Sequence, residues 1–377
     1  MTWTIVAFVI LSLYAALITF YMEGINRLNA RKSATQQKIT PEKGISVVIA
    51  MRNEAERISG VIDDLLVQEI DNKHFELILV DDNSEDNSVE IAKKKLEQTD
   101  IRYSVLDSNG GKKAALHKGV LAATMEIIAF TDADCHLPKE WLKGFLQAFE
   151  STDIQMVSGP VFFESKGFSQ SMMALEFASL VASGAASLSM GFPVMVNGAN
   201  MAVRKSAWLE VRGNLDKNEV AVSGDDVFTM SNIRKRYGAS AISFIHSCAQ
   251  MVSTPAPDSW RKWSSQRLRW ASKSSSYRDF NIIATAAFIS LVSVIQLSML
   301  FNFSYSGWSI PIYFGLFTLL KLIPDLIFLH SFLKEYKSTN LLKAALPVAL
   351  LYPFYIPVFA IAGLFARPNW KNRRIIA

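Results

Sequence analysis

Hydrophobic positions along the chain fall into two regimes. Between residues 45 and 131, short apolar runs alternate with amphipathic ones; near both ends the apolar residues form long uncharged runs. Ile45 to Met51 (ISVVIAM), behind Pro41 and Gly44, is short and β-branched, which predicts a buried strand. Ile58, Val61, Ile62, Leu65 and Leu66 then recur on one face at helical spacing. Phe75 to Val80 predicts a second strand running into Asp81 and Asp82, with Asn83 to Asn87 as a turn. Val89 to Leu96 predicts a helix with its lysines outward, and Ile101 to Leu106 a third strand. Gly110 and Gly111 open another helix near Lys112, and Ile127 to Thr131 is a fourth strand ending in Asp132-Ala133-Asp134. Strands alternating with helices at this spacing predict βαβ units and a mostly parallel sheet. The polar residues gather just past the strand ends, where open α/β sheets bind ligands.

The uncharged runs have the lengths of membrane spans. Residues 3–22, 280–320 and 344–366 carry no charge, and about 20 apolar residues cross a hydrocarbon core. The first run has no basic residue before it, and Tyr21, Met22 and Glu23 do not make a small-x-small cleavage site, so it reads as an uncleaved anchor. Residues 281–303 and 308–332 read as two spans joined by an uncharged loop at 303–308. Pro347, Pro353 and Pro357 interrupt the last run, which predicts a broken, re-entrant or surface-lying segment. Lys321 and Asp325 stand four apart inside a span, a spacing at which they can pair. Ser169 to Met190, apolar but rich in Ala and Ser, reads either as helix on the membrane surface or as an ordinary buried helix. The expected organisation is an anchor at 1–24, an α/β domain at 44–273, a membrane region at 281–366 and a basic tail at 367–377.

Charge orients this arrangement. Arg27, Arg31, Lys32, Lys38 and Lys43 follow the first run, and Arg261, Lys262, Arg267, Arg269, Lys273 and Arg278 precede the second. Bases flanking spans mark the cytoplasmic side. The expectation is a multi-pass protein of the cell membrane with a cytoplasmic α/β domain. Nucleic acid is excluded as a partner, because no recognition motif or aromatic interleaving accompanies these bases. Two cysteines, Cys135 and Cys248, give neither a disulfide scaffold nor a metal-ligand spacing and fit a reducing compartment.

Several polar groups carry recognisable chemistry. Asp132 and Asp134, at i and i+2 past a strand, can both reach one divalent cation, and hard oxygen ligands suit Mg²⁺ or Mn²⁺. Such a cation neutralises a diphosphate leaving group. Asp82 ends the second strand, where a carboxylate can accept from a nucleoside or simply start the following turn. Asn53 and Glu54 follow the first strand and can line the same crevice. Gly111-Lys112 joins a flexible turn to a cation suited to phosphate, with Lys113 as the alternative lysine. Gly224-Asp225-Asp226 offers the carboxylate that a sugar hydroxyl needs to give up its proton. Arg269 of Gln266-x-x-Arg269-Trp270 can hold a diphosphate, and Trp270 has a flat face for a sugar ring. Trp260 and Trp263 read instead as a membrane-interface belt.

Taken together, residues 44–273 resemble the family 2 inverting glycosyltransferases, the group of cellulose, chitin and hyaluronan synthases and ceramide glucosyltransferase. The resemblance rests on Asn53-Glu54, Val80-Asp81-Asp82, Gly111-Lys112-x-x-Ala115-Leu116, Asp132-x-Asp134, Gly198-x-Asn200, Gly224-Asp225-Asp226 and Gln266-x-x-Arg269-Trp270, in the family's order. It implies a GT-A fold, a Rossmann-like α/β domain with a mostly parallel sheet, here joined to transmembrane helices. It also implies a nucleotide-sugar donor, a UDP-sugar by default, of hexosyltransferase type. Asp82 would meet the nucleoside, Lys112 the diphosphate, and Asp132 and Asp134 the nucleotide and metal. Asp226 would be the general base with Asp225 in support. Gln266, Arg269, Trp270 and Asn200 would serve the donor and acceptor. The sequence departs from the family pattern at Ala50-Met51-Arg52, where a proline-containing approach ending in tyrosine is usual. It departs also at His117, where Asn is common, and in Gly-Asp-Asp for Thr-Glu-Asp. The small membrane part favours transfer onto a lipid or lipid-linked acceptor. Extension of a secreted β-linked polysaccharide is the rival, and a non-catalytic membrane scaffold the alternative of another class.

Overall fold

The computed structural model describes residues 2–32, 44–213, 225–273, 276–301, 310–366, 369–370 and 373–374. Lys38, Lys43, Gly224, the loop 303–308 apart from its neighbouring helices, Arg367 and Lys371 lie outside the described residues. In chain order the elements are α1 (Thr2–Lys32), β1 (Ile45–Met51), α2 (Ile58–Leu66), β2 (Phe75–Asp81), α3 (Ser88–Leu96), β3 (Arg102–Asp107), α4 (Gly111–Ala122) and β4 (Ile127–Phe130). There follow α5 (Trp141–Ala148), β5 (Met156–Ser158), β6 (Val161–Glu164), α6 (Phe168–Ser189), β7 (Met201–Arg204), α7 (Lys205–Gly213), α8 (Asp225–Tyr237), β8 (Ile242–Phe244) and β9 (Val252–Pro255). The last are α9 (Trp260–Ala271), α10 (Phe280–Phe301), α11 (Ile310–Glu335), α12 (Ala345–Phe365), β10 (Asn369–Trp370) and β11 (Arg373–Arg374).

The chain divides into two units. The α/β unit takes Asn29–Glu164, Met195–Pro255 and Trp370–Ala377, and the helical unit Met1–Leu28, Ser165–Val194 and Ala256–Asn369. The expected domain at 44–273 takes in stretches of both units. Residues 165–194 and 256–273 group with the apolar helices, because α6 and α9 bury their faces against α12.

In the α/β unit a seven-stranded sheet runs β3-β2-β1-β4-β7-β5-β8. The first four strands are parallel, and β7 alone runs antiparallel to its neighbours β4 and β5. β1 and β2 are apolar and almost wholly buried, as strands covered on both faces must be. The chain steps outward from β1 to β2 and β3, then returns through α4 to β4 on the other side of β1. That reversal leaves a crevice at the carboxyl ends of β1 and β4. Gly119 lets α4 lie close to the sheet, since a Cβ there would fall 2.4 Å from Val48 Cγ1. The opposite edge of the sheet is tied by Glu76, which accepts from Ser46 Oγ (2.6 Å) and from the Thr124 backbone N–H (2.6 Å).

In the helical unit α6 is a single 22-residue helix, buried along most of its length. Among the described residues, five helices are long and apolar enough to cross a membrane. Only 11–33% of the apolar window is buried in α1, α10, α11 and α12, against 78% in α6, so protein rather than lipid surrounds α6. Of the forms expected for the last apolar run, α12 departs from the broken one. It is one continuous helix through Pro353 and Pro357. Pro347 stands in its first turn, where a backbone donor has no helical partner to lose. Neighbouring helices compensate interior prolines in such bundles, and Pro353 is buried here. Lys321 and Asp325 pair at 2.7 Å as their spacing predicts. Tyr14 Oη donates to Asp325 at 2.5 Å, and the Lys321 ammonium lies 4.5 Å from the Tyr14 ring. Trp263 departs from the expected interface belt: it is buried against Tyr355 (5.1 Å) and Phe359 (5.7 Å), while Trp260 is exposed.

Candidate active site

Three loops of the α/β unit leave the same edge of the sheet, after β1, β2 and β4. After β1 and β2 the chain turns at Asn53 and Asn83, both in the left-handed region (φ 51° and 60°), which asparagine tolerates better than most residues. The two turns brace each other. Asn53 N–H donates to Ser84 Oγ (2.9 Å) and Asn53 Oδ1 accepts from Glu85 N–H (2.8 Å). Arg52, where the family pattern has tyrosine, is buried and donates to the Asp82 carbonyl at 3.1 Å.

Asp82 has no exposed surface, and its Oδ1 accepts from Gly111 N–H at 2.9 Å. One carboxylate oxygen of Asp82 is thereby engaged by the backbone. It tethers the turn that opens α4. Gly111 adopts φ +83°, which requires glycine, and this turn delivers Lys112 to the acidic loop. Lys112 Nζ forms an ion pair with Asp132 Oδ1.

Asp134 lies beside this pair. Burial pushes its carboxyl above the ordinary range, and the charges of Asp132 and Glu54 push it further, opposed by Lys112 and Arg57. Burial, followed by Asp132 and Asp134, holds the Cys135 thiol well above its usual value, so it stays protonated. Glu54 is buried, and its Oε2 lies 3.6 Å from Arg57. Arg57 was not singled out in the sequence, although its i+3 spacing from Glu54 was the available signal. The cluster thus concentrates negative charge that a cation relieves. Among the described residues no group of three or more His, Cys, Asp or Glu is arranged to hold a metal ion. Two carboxylates nonetheless fit Mg²⁺, which is commonly held by one or two carboxylates plus substrate phosphates.

The register of β7 brings the remaining acid to the same edge. Met201, the first residue of β7, stands opposite Phe130, the last of β4. Residues 198–200 therefore lie beside the Asp132–Asp134 loop. Asp226, in the first turn of α8, accepts from Gly198 N–H through Oδ2 (3.1 Å). Asp225 is the first residue of that helix. Asn200 is the clearest correction at the site. It is fully buried, accepts from Trp141 Nε1 (2.9 Å), and donates both amide hydrogens to the carbonyls of Pro160 (2.9 Å) and Gln250 (2.8 Å). It has no donor left for an acceptor and instead pins three segments together. Trp141, unremarked in the sequence, is its partner.

Gln266, Arg269 and Trp270 belong to the helical unit, on α9. Ser259 caps that helix by accepting from Lys262 N–H. Trp270 is half-buried, with its ring 5.8 Å from that of Phe177 and 4.3 Å from the Arg267 guanidinium.

A mostly parallel α/β sheet with acids and a lysine gathered past its carboxyl edge defines the GT-A class of folds. Residues 46–211 fit the Glycosyl transferase family 2 model. Glycosyltransferase AglE of Haloferax volcanii is 30% identical over 120 residues, covering 32% of this chain and 40% of the relative. The poly-β-1,6-N-acetyl-D-glucosamine synthase of Staphylococcus aureus is 25% identical over 232 residues, covering 61% of this chain and 54% of the synthase. The matches thus span about half or less of these curated relatives. Among solved structures, the mannosyltransferase PcManGT of Pyrobaculum calidifontis, in complex with GDP-Man and Mn²⁺, superposes with a TM-score of 0.52 at 18% identity. That superposition covers 96% of this chain and all of the mannosyltransferase, and it shows the shared fold.

Proposed function

We propose that the protein is a membrane-bound inverting glycosyltransferase that moves a hexose from a UDP-sugar to a hydroxyl of a lipid or lipid-linked acceptor. The observation that carries this reading is the charge arrangement past β4, where Lys112 pairs with Asp132 and burial and like charge hold Asp134. Paired acids beside one lysine suit a divalent cation and the diphosphate that it neutralises.

In this reading Asp132 and Asp134 hold Mg²⁺ or Mn²⁺, which supplies charge neutralisation at the diphosphate. The solved mannosyltransferase carries Mn²⁺ with its donor, in line with that choice. Lys112 binds the diphosphate as a second positive charge. Asn53 and Glu54 line the nucleotide crevice, and Asp82 fixes the Gly111 turn. Asp226 takes the proton from the acceptor hydroxyl while that oxygen attacks the anomeric carbon. The bond to the diphosphate breaks in the same displacement and the configuration inverts. The Gly198 N–H orients Oδ2 of Asp226, and the family resemblance implies a supporting role for Asp225. Arg269 serves the diphosphate, and Gln266 and Trp270 serve the acceptor, as the family resemblance implies. The five apolar helices support membrane insertion, and the bases beside α1 and α10 support a cytoplasmic α/β unit.

The likeness to the poly-β-1,6-N-acetyl-D-glucosamine synthase favours a second reading, extension of a β-linked polymer. Membranes bearing the protein, incubated with labelled UDP-glucose, UDP-N-acetylglucosamine or GDP-mannose, separate the two. A single lipid-soluble glycoside is expected. A high-molecular-weight product selects the polymer, and no incorporation from any donor contradicts transfer altogether.

A further inference from the structure

Within the helical unit, a buried ion pair stands directly behind Trp270. Positions 263, 267 and 270 of α9 follow helical spacing and share one face. Between the two tryptophans, Arg267 is buried, its guanidinium carbon 5.5 Å from the Trp263 ring and 4.3 Å from the Trp270 ring. Its Nη2 meets Glu176 Oε2 of α6, which is equally buried. Phe177, the next residue of α6, packs on Trp270 with ring centroids 5.8 Å apart. Trp263 in turn is walled in by Tyr355 and Phe359 of α12.

The energetics of this arrangement are peculiar. Nε and Nη1 of Arg267 are buried with no hydrogen-bond partner. A buried ion pair with unsatisfied donors does little for stability compared with apolar residues of the same volume. What it does supply is direction. The guanidinium plane, held by Glu176, lies against the indole of Trp270, and Phe177 bears on the same ring. One part of Trp270 is thereby fixed while the remainder stays open.

We propose that Glu176 and Arg267 are positioning residues that fix the orientation of the Trp270 ring for the acceptor. The proposal rests on the reading of Trp270 as the acceptor-stacking residue. The pair acts through Trp270 and touches neither donor nor reacting atoms.

Because removing one partner alone strands a buried charge and can unfold the protein, the test uses the double variant Glu176→Leu/Arg267→Met in the full chain. Trp270→Ala and the triple variant accompany it. Three quantities are measured: the melting temperature, UDP affinity by calorimetry, and label transfer from the UDP-sugar and GDP-mannose panel to membrane acceptors over a range of membrane content. The double variant is expected to melt near the parent and bind UDP within twofold. Its transfer efficiency toward the acceptor should fall tenfold or more, matching Trp270→Ala, with no further loss in the triple variant. Parent-like transfer by the double variant, with Trp270→Ala impaired, overturns the positioning role and leaves the acceptor reading intact. A further tenfold loss in the triple variant likewise overturns it. Parent-like transfer by Trp270→Ala refutes the acceptor reading and the proposal with it.

Discussion

Asn200→Ala separates a scaffold from a ligand contact at a position where the sequence alone favours the second. The side chain makes three buried hydrogen bonds, to Trp141 Nε1 and to the carbonyls of Pro160 and Gln250. Truncation leaves Trp141 Nε1 and the Gln250 carbonyl buried without a partner, each costing about 1–3 kcal/mol, while the Pro160 carbonyl keeps the Val252 N–H (3.0 Å). Their sum is an upper limit, because the segments relax and the costs are not additive; about 3–5 kcal/mol is expected, at the top of the range for single substitutions. At roughly 2–4 °C per kcal/mol for a unit of this size, the melting temperature falls by about 6–20 °C. The assay is thermal unfolding of the full chain in detergent, followed by tryptophan fluorescence, since Trp141 and Trp208 are fully buried in the α/β unit. A melting temperature within about 2 °C of the parent, together with a weakened acceptor KM, refutes the structural assignment.

Other expectations follow from the same geometry. Asp134 has a raised carboxyl pKa in the folded protein, so its proton is held more tightly folded than unfolded. Its contribution to stability is present at low pH and lost as pH climbs from the ordinary 3.8 through the raised value. Mn²⁺ competes with that proton, so its affinity in the presence of UDP should rise with pH across the same window; Asp134→Asn should flatten the rise, and an unaltered profile contradicts the ligand role. Gly111→Ala, at φ +83°, should cost about 1–2 kcal/mol of stability and weaken UDP binding by displacing Lys112; unchanged UDP affinity in calorimetry counts against Lys112 as the diphosphate contact. Lys321→Met strands Asp325 and should destabilise the helical unit by about 3–5 kcal/mol, whereas Lys321→Met/Asp325→Leu should recover most of it. Equal melting temperatures of the single and double variants in detergent contradict the pairing.

The parallel half of the sheet was legible because β1, β2, β3 and β4 are separated by amphipathic helices whose period differs from theirs. β1 matches its expected bounds, β2 and β4 differ by one residue at one end, and β3 is displaced by one residue at both ends. The strands beyond β4 were not legible. Met156–Ser158, Met201–Arg204 and Ile242–Phe244 are three or four residues long, too short for a period to register. The site was legible in its acids but not in its roles. A buried Asn200 is written with the same letter as a ligand-binding one, and only its hydrogen bonds distinguish it. The prolines of α12 misled for a related reason. Proline's cost depends on what surrounds the helix, and the local sequence does not carry that information.

The central claim is that Asp226 takes the acceptor's proton. Asn keeps an oxygen to accept the Gly198 N–H but cannot take up a proton, so Asp226→Asn isolates the chemistry from the fold. With UDP affinity and label transfer measured on the same membranes, the account predicts UDP binding within twofold of the parent and transfer reduced at least ~10²-fold. Near-parental transfer by Asp226→Asn contradicts it.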